Sequence, residues 1–179
     1  MSIHQLSVAY QADQDRLLVR VRTHDGQLYE LWLTRRLLAR LWRPLQDTAS
    51  AISLNGLSSG STVLPEAREM MSETLRQRSG QAADFKTPFE EDVRERPLGD
   101  APMLVTAIDI TALKDQQVEL AWRDAAQRRL AFCVGADLLN NLLTLMERAL
   151  EQSEWGALGT TQSPGQNPAA HAAPPRVLN

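Results

Sequence analysis

From Leu6 to Leu33 apolar and polar positions alternate with a period of two. Leu6, Val8 and Tyr10 stand against Ser7, Ala9 and Gln11. Beyond a turn at Ala12 to Asp15, Leu17, Val19 and Val21 stand against Leu18, Arg20 and Arg22; after His24-Asp25-Gly26, Tyr29, Leu31 and Leu33 stand against Leu28, Glu30 and Trp32. That period belongs to half-buried strands, so three successive antiparallel strands are predicted. Their register follows from the apolar set. A three-residue loop with Gly26 in the left-handed region pairs Val21 with Tyr29 and Val19 with Leu31, whereas a two-residue Asp25-Gly26 turn would set Val21 against Glu30. The longer loop is preferred. On the opposite face it places Arg20 beside Glu30, Leu18 beside Trp32 and Arg22 beside Leu28, a mixed surface.

Thr34 then suits a helix N-cap ahead of Leu37, Leu38, Leu41 and Leu45, and Pro44 is expected to end or bend that helix near Arg43. The same plan recurs late in the chain. Thr106, Ile108 and Ile110 are answered by Val118, Leu120 and Trp122, then by Leu130, Phe132 and Val134, with loops at Leu113-Lys114-Asp115 and Ala125-Ala126-Gln127. A helix follows Gly135-Ala136-Asp137, its stripe formed by Leu138, Leu139, Leu142, Leu143, Met146, Ala149 and Leu150, and is expected to run to about Trp155. The repeated pattern implies an internal duplication without residue identity. A β-β-β-α unit of about 45 residues buries too little surface to stand alone, so both units are expected to share one core. Between them, Ala49 to Val63 reads as a loop, Pro65 and Glu66 open a connecting helix that ends at Ser79-Gly80, and Asp84 to Pro102 reads as an extended acidic connection. The fold class predicted is α+β: two antiparallel meanders each followed by a helix, plus one connecting helix. The domain spans residues 1–155 (unit one 1–46, connection 47–101, unit two 102–155), and the tail 156–179, rich in Ala, Pro, Gly and Gln, is expected to be disordered.

The 179 residues, 43% hydrophobic and 23% charged, fit one soluble domain and exclude a membrane bundle or a collagen-like repeat. A net charge of -3 gives no bulk attraction to nucleic acid or acidic lipid. One cysteine, Cys133, allows no internal disulfide, and the opening residues have no apolar leader pattern, so a cytoplasmic chain, neither exported nor inserted, is expected. The runs Tyr10-Gln11, Asp15-Arg16, Arg20-Val21, Asp25-Gly26 and Trp32-Leu33-Thr34-Arg35-Arg36, with Ala83-Asp84-Phe85, Pro97-Leu98-Gly99 and the C-terminal leucine-rich helix, resemble a group of uncharacterised, mostly proteobacterial proteins. The resemblance implies a bacterial, cytoplasmic, single-domain chain and carries over no site.

Charge is segregated along the chain. Residues 1–46 hold seven arginines and four acids, whereas residues 47–101 hold six basic and ten acidic groups. Arg35 and Arg36 directly follow the Thr34 cap, where cations oppose the positive end of the helix dipole by ~0.3 to 1 kcal/mol each. Thr34, Arg35 and Arg36 are therefore the candidate anion-binding residues. Either Glu90, Glu91, Asp92 or Glu95 of the acidic connection neutralises them internally, or an outside anion does. A second reading takes Arg20, Arg22, Trp32, Arg40 and Arg43 as a platform for single-stranded nucleic acid, with Trp32 stacking on bases; covering of that sheet face by the connecting helix would instead make Trp32 core.

Catalysis finds little support. His4 shares parity with Leu6 on the inward face, His24 lies in a turn, His171 falls in the tail, and Cys133 reads as a small packed thiol. Gly56 to Thr62 lacks the lysine of a phosphate loop, and Glu90-Glu91-Asp92 lacks a metal-ligand repeat, so no cofactor or metal is implied. Met70, Met71 and Leu75 offer either core or a stripe for a partner, and the edge strands offer a route to a homodimer. The function predicted is a non-catalytic binding or adaptor module with a protein partner or a second copy, nucleic acid as the alternative, and no membrane.

Overall fold

The computed structural model describes residues 2–55, 65–82, 87–90 and 92–156. Its elements run β1 (Ile3–Gln11), a 3-10 turn (Ala12–Gln14), β2 (Arg16–Thr23), β3 (Leu28–Thr34), α1 (Arg35–Asn55), α2 (Pro65–Ala82), β4 (Met103–Leu104), β5 (Ala107–Ala112), β6 (Gln117–Arg123), β7 (Arg129–Gly135) and α3 (Ala136–Glu151). They form a four-stranded sheet in the order β1-β2-β3-β4 and a three-stranded sheet in the order β5-β6-β7, an α+β fold. Each meander leads directly into a helix.

The β2-β3 register is the one that the apolar set demands, with Val21 opposite Tyr29 and Val19 opposite Leu31. Gly26, at φ +80, closes the three-residue loop by donating its N–H to the Thr23 carbonyl at 3.0 Å. The β6-β7 register likewise sets Leu120 against Phe132 across the loop at residues 125–127. In the β5-β6 hairpin the loop falls one residue later than expected, at Lys114-Asp115-Gln116, because Leu113 donates to the Gln117 carbonyl. Ile110 then faces Leu120, not Val118. The shift of two in pairing preserves the parity, so the apolar face still points inward, and Asp115 and Gln116 take the left-handed φ values (59° and 57°) that the tight turn requires.

The inward faces of the two sheets meet. Tyr29 and Phe132 touch edge to face at 5.6 Å, and Leu6, Val21, Trp122, Phe132, Leu138 and Leu142 border one gap of about 20 Å³. Residues of both units belong to one cluster of buried side chains.

Pro44 does not end α1. The helix continues to Asn55 and so takes in residues 49–55 of the expected loop. Pro44 points to solvent, while Leu45, Ala49 and Ile52 on the opposite side are at most 5% exposed. Burying a leucine or isoleucine is worth ~1.5 to 3 kcal/mol, which offsets the ~3 kcal/mol cost of an interior proline. Residues 56–63 of that loop and the tail from 157 lie outside the described residues. α2 extends past Ser79-Gly80 to Ala82, and the Ser79 hydroxyl donates to Asp137 at 2.7 Å. Asn140, 4% exposed, ties α3 to α1 by donating to the Ser53 hydroxyl at 3.2 Å.

If α1 is continuous through residue 44, Pro44→Ala supplies the missing N–H to the Arg40 carbonyl. Urea unfolding should then show a gain of about 2 kcal/mol, the ~3 kcal/mol interior cost of proline less the ~1 kcal/mol it saves by restricting the unfolded chain. A loss of stability would contradict the continuous helix.

Candidate functional site

Thr34 ends β3 and its Oγ1 accepts the Leu37 N–H at 3.3 Å, so the cap expected from sequence is formed. No acidic residue occupies the first turn of α1, whereas α3 opens with Asp137. Arg35 and Arg36 are both exposed but diverge, as neighbours about 100° apart around a helix must. Arg35 lies toward the β1-β2 turn, near enough to Asp15 to help lower its pKa. Arg36 points to the other side, into a cleft of about 430 Å³ lined by Thr34, Arg36, Leu37 and Arg40 of α1 and by Leu104, Val105 and Thr106. The structure therefore unites Thr34 and Arg36 with Arg40, taken from the nucleic-acid set, and leaves Arg35 outside the lining.

The far wall of the cleft was not legible in the sequence. β4 is two residues long and pairs parallel with β3, Leu31 beside Met103 and Trp32 beside Leu104. Such a strand has no period to detect; Pro102 is the only local mark that chain direction changes there.

The acidic connection lies at the opposite end of β3. Arg94 donates to the Gly26 carbonyl at 2.8 Å, Leu28 donates to the Glu95 carbonyl at 2.9 Å, and the Gln27 amide donates to the Glu95 carboxylate at 3.0 Å. From Gln27 to Thr34 is about 23 Å along a strand at ~3.3 Å per residue. Among the described residues no carboxylate pairs with Arg36 or Arg40, and Arg43 pairs with Asp47 one turn on, at 3.3 Å.

On its way the connection crosses the outer face of the first sheet. The Arg20 guanidinium lies over the Phe89 ring at 4.5 Å from its centroid, Arg22 pairs with Glu90, and Arg96 pairs with Glu30. The Arg22 side chain is only 15% exposed. Trp32 is half-buried beside Leu18 and Leu104. The guanidinium groups of Arg20 and Arg22 are thus engaged with this chain's own residues. α2 does not cover that face; it packs on α1 and α3.

His4 is exposed, not inward, because a bulge between Ile3 and Gln5 breaks the parity, and its ring lies 4.7 Å from that of His24. Cys133 is exposed on the outward face of β7 instead of packed. Met70 is 73% exposed on α2. Among the described residues no three His, Cys, Asp or Glu groups gather, and no helix is long and apolar enough to cross a membrane.

Beside the site, Asp15 accepts hydrogen bonds from the Trp155 indole N–H and, at 2.8 Å, from the Tyr10 hydroxyl. These bonds, with Arg35 nearby, hold its carboxyl below the ordinary 3.8, and the Tyr10 phenol is pushed above 10.0 by the same bond. Trp155, 4% exposed, is thereby anchored after α3 has ended at Glu151.

No family model matches the chain, and neither a curated protein nor a solved structure matches it.

A carboxylate with a depressed folded-state pKa contributes stability above its unfolded value and loses it as pH falls through the folded value. Asp15→Asn keeps a residue that tolerates the φ of 48° found there. The variant should therefore be less stable than the parent at pH 7, with the gap closing below pH 3.8. Denaturant unfolding at pH 7 and pH 3 measures it; a pH-independent gap would show that the charge of Asp15 contributes nothing.

Proposed function

We propose that this chain is a non-catalytic binding or adaptor module, and that the cleft at the start of α1 receives a carboxylate or phosphate carried by a protein partner. The observation that carries this reading is the pairing pattern of the arginines. Arg36 and Arg40 line one cleft with no carboxylate beside them among the described residues, while Glu90 and Glu95 are engaged with Arg22 and Gln27. Two like charges one helical turn apart, near the positive pole of α1, cost stability unless an anion approaches. Leu104, 39% exposed, supplies an apolar contact beside them. A cytoplasmic setting suits the exposed thiol of Cys133, which a reducing compartment keeps free. We read the two meander-helix units as a duplication on the strength of their common plan.

Single-stranded nucleic acid is the alternative partner. It draws less support, because the chain's own Phe89 and Glu90 meet two of its five candidate residues, Arg20 and Arg22.

The test is fluorescence anisotropy with a labelled hexaglutamate peptide at low salt. Arg36→Ala/Arg40→Ala should weaken binding at least tenfold, since a hydrogen bond to a charged group is worth ~1.5 to 3 kcal/mol. Its melting temperature should hold or rise slightly, because each cation removed from the first turns relieves ~0.3 to 1 kcal/mol. Unchanged affinity, or a fall in melting temperature that matches the lost binding, would overturn the proposal. Tighter binding of labelled oligo-dT, with log affinity falling by ~0.7 per neutralised phosphate as log salt rises, would shift the assignment to nucleic acid.

A further inference from the structure

The end of the first sheet opposite the α1 cleft brings two histidine rings together. The imidazoles of His4 and His24 have centroids 4.7 Å apart and planes tilted by 47°, so they do not stack face to face. Both residues are exposed to solvent. We propose that His4 and His24 form a two-imidazole site for a divalent transition-metal ion that prefers nitrogen ligands, zinc being the type case, with one ion per chain.

The spacing of the rings carries the assignment. A ring nitrogen bound to zinc lies ~2.0 to 2.1 Å from the ion, which puts the ring centroid ~3.2 Å away. Two imidazoles on one ion, at bond angles between square-planar and tetrahedral, then have centroids ~4.5 to 5.2 Å apart. The observed 4.7 Å falls inside that span. Each neutral imidazole offers one unprotonated nitrogen, and imidazole suits zinc, nickel and copper, whereas magnesium and calcium take oxygen donors.

The backbone holds both rings near each other before any ion arrives. His4 is the unpaired residue of the bulge between Ile3 and Gln5, which turns it out of the Leu6 face. Bulges re-aim side chains, and here the re-aimed side chain meets a second metal-ligating ring. His24 is fixed beside the start of β1: its N–H donates to the Ser2 carbonyl at 3.1 Å, and its neighbour Thr23 faces Ile3. Thr23 is 1% exposed, and its hydroxyl oxygen accepts the Gln27 N–H at 3.2 Å, which fixes the loop that carries His24. The described residues supply these two ligands and no cluster of three. Reversible binding that leaves coordination positions to water is therefore expected, unlike a closed four-ligand structural centre. An ion held by both rings ties the start of β1 to the β2-β3 loop and stabilises the folded chain as the ion's concentration rises.

The experiment titrates the full chain with zinc chloride in a non-chelating buffer at neutral pH and follows binding by calorimetry. One site per chain is expected, with none for magnesium chloride. His4→Ala and His24→Ala should each weaken zinc binding at least tenfold, whereas His171→Ala and Cys133→Ser should leave it unchanged. In the unmodified chain the NMR ring resonances of His4 and His24 should both shift on saturation with zinc and return on adding EDTA. Melting without zinc reports whether each variant folds; should one fail, the ring resonances of the unmodified chain decide. Unchanged affinity in either histidine variant, loss of binding in His171→Ala or Cys133→Ser, or a shift confined to one ring of the pair would overturn the proposal.

Discussion

Two consecutive amides connect the two halves of this molecule. Val105 donates to the Trp32 carbonyl at 3.0 Å and so belongs to the first sheet; Thr106 donates to the Arg123 carbonyl at 2.8 Å and so belongs to the second. The stretch from Met103 to Ala112 is thus one path that leaves β3 and joins β6, bending where the hydrogen-bond partner changes. The inward parity changes with it. Met103 and Val105, odd, are buried against the first meander, whereas Ile108 and Ile110, even, pack against the core from the second. Without that handover the two meanders would each present an apolar face with nothing opposite it. With it they face one another, and α3 spans the side the sheets leave open, packed against both β1 and β7.

The strength of the strand pattern explains why the meanders could be read from sequence. Leu17, Val19, Val21, Tyr29, Leu31 and Leu33 are each 3% exposed or less, and a one-residue slip would have turned all of them toward water. The β5-β6 loop was misplaced by one residue because parity fixes which face points inward but not which of two same-parity registers forms; Asp115 and Gln116, both at positive φ, are not residues that announce that turn as Gly26 does. The C-terminal half of α1 was missed for a different reason. Pro44 carries a strong local penalty, yet Leu38, Leu41, Leu45, Ala49 and Ile52 continue the helical spacing straight past it, and burial against the core outweighed the local rule. His4 was misassigned because a bulge shifts parity and leaves no sequence mark.

At the site, sequence located the cap and the arginines but not their separation. Arg35 and Arg36 are adjacent in the chain, and that adjacency on a helix sends them to different neighbours, Asp15 for one and the β4 cleft for the other. What brings Arg40 to Arg36 is the helical turn, and what makes a cleft of them is a two-residue parallel strand that no periodicity could reveal. The identity of the internal counter-charges was equally hidden, since an extended acidic connection can lie along any edge that offers hydrogen bonds.

The path of that connection settles where positive charge remains. It enters over Arg20 with Phe89, pairs Arg22 with Glu90, and reaches the β3 edge at Glu95, where two backbone bonds fix it beside Gly26 and Leu28. Arg96 returns one positive charge to that face, but Glu30 meets it. Having paired at the loop end of the sheet, the connection runs on as β4 toward the helix end carrying Met103 and Leu104, which are apolar. Glu90 and Glu95 are therefore engaged away from α1. The same edge pairing that covers β3 also leaves Arg36 and Arg40 as the basic side of a cleft whose other wall, among the described residues, is the uncharged Leu104, Val105 and Thr106.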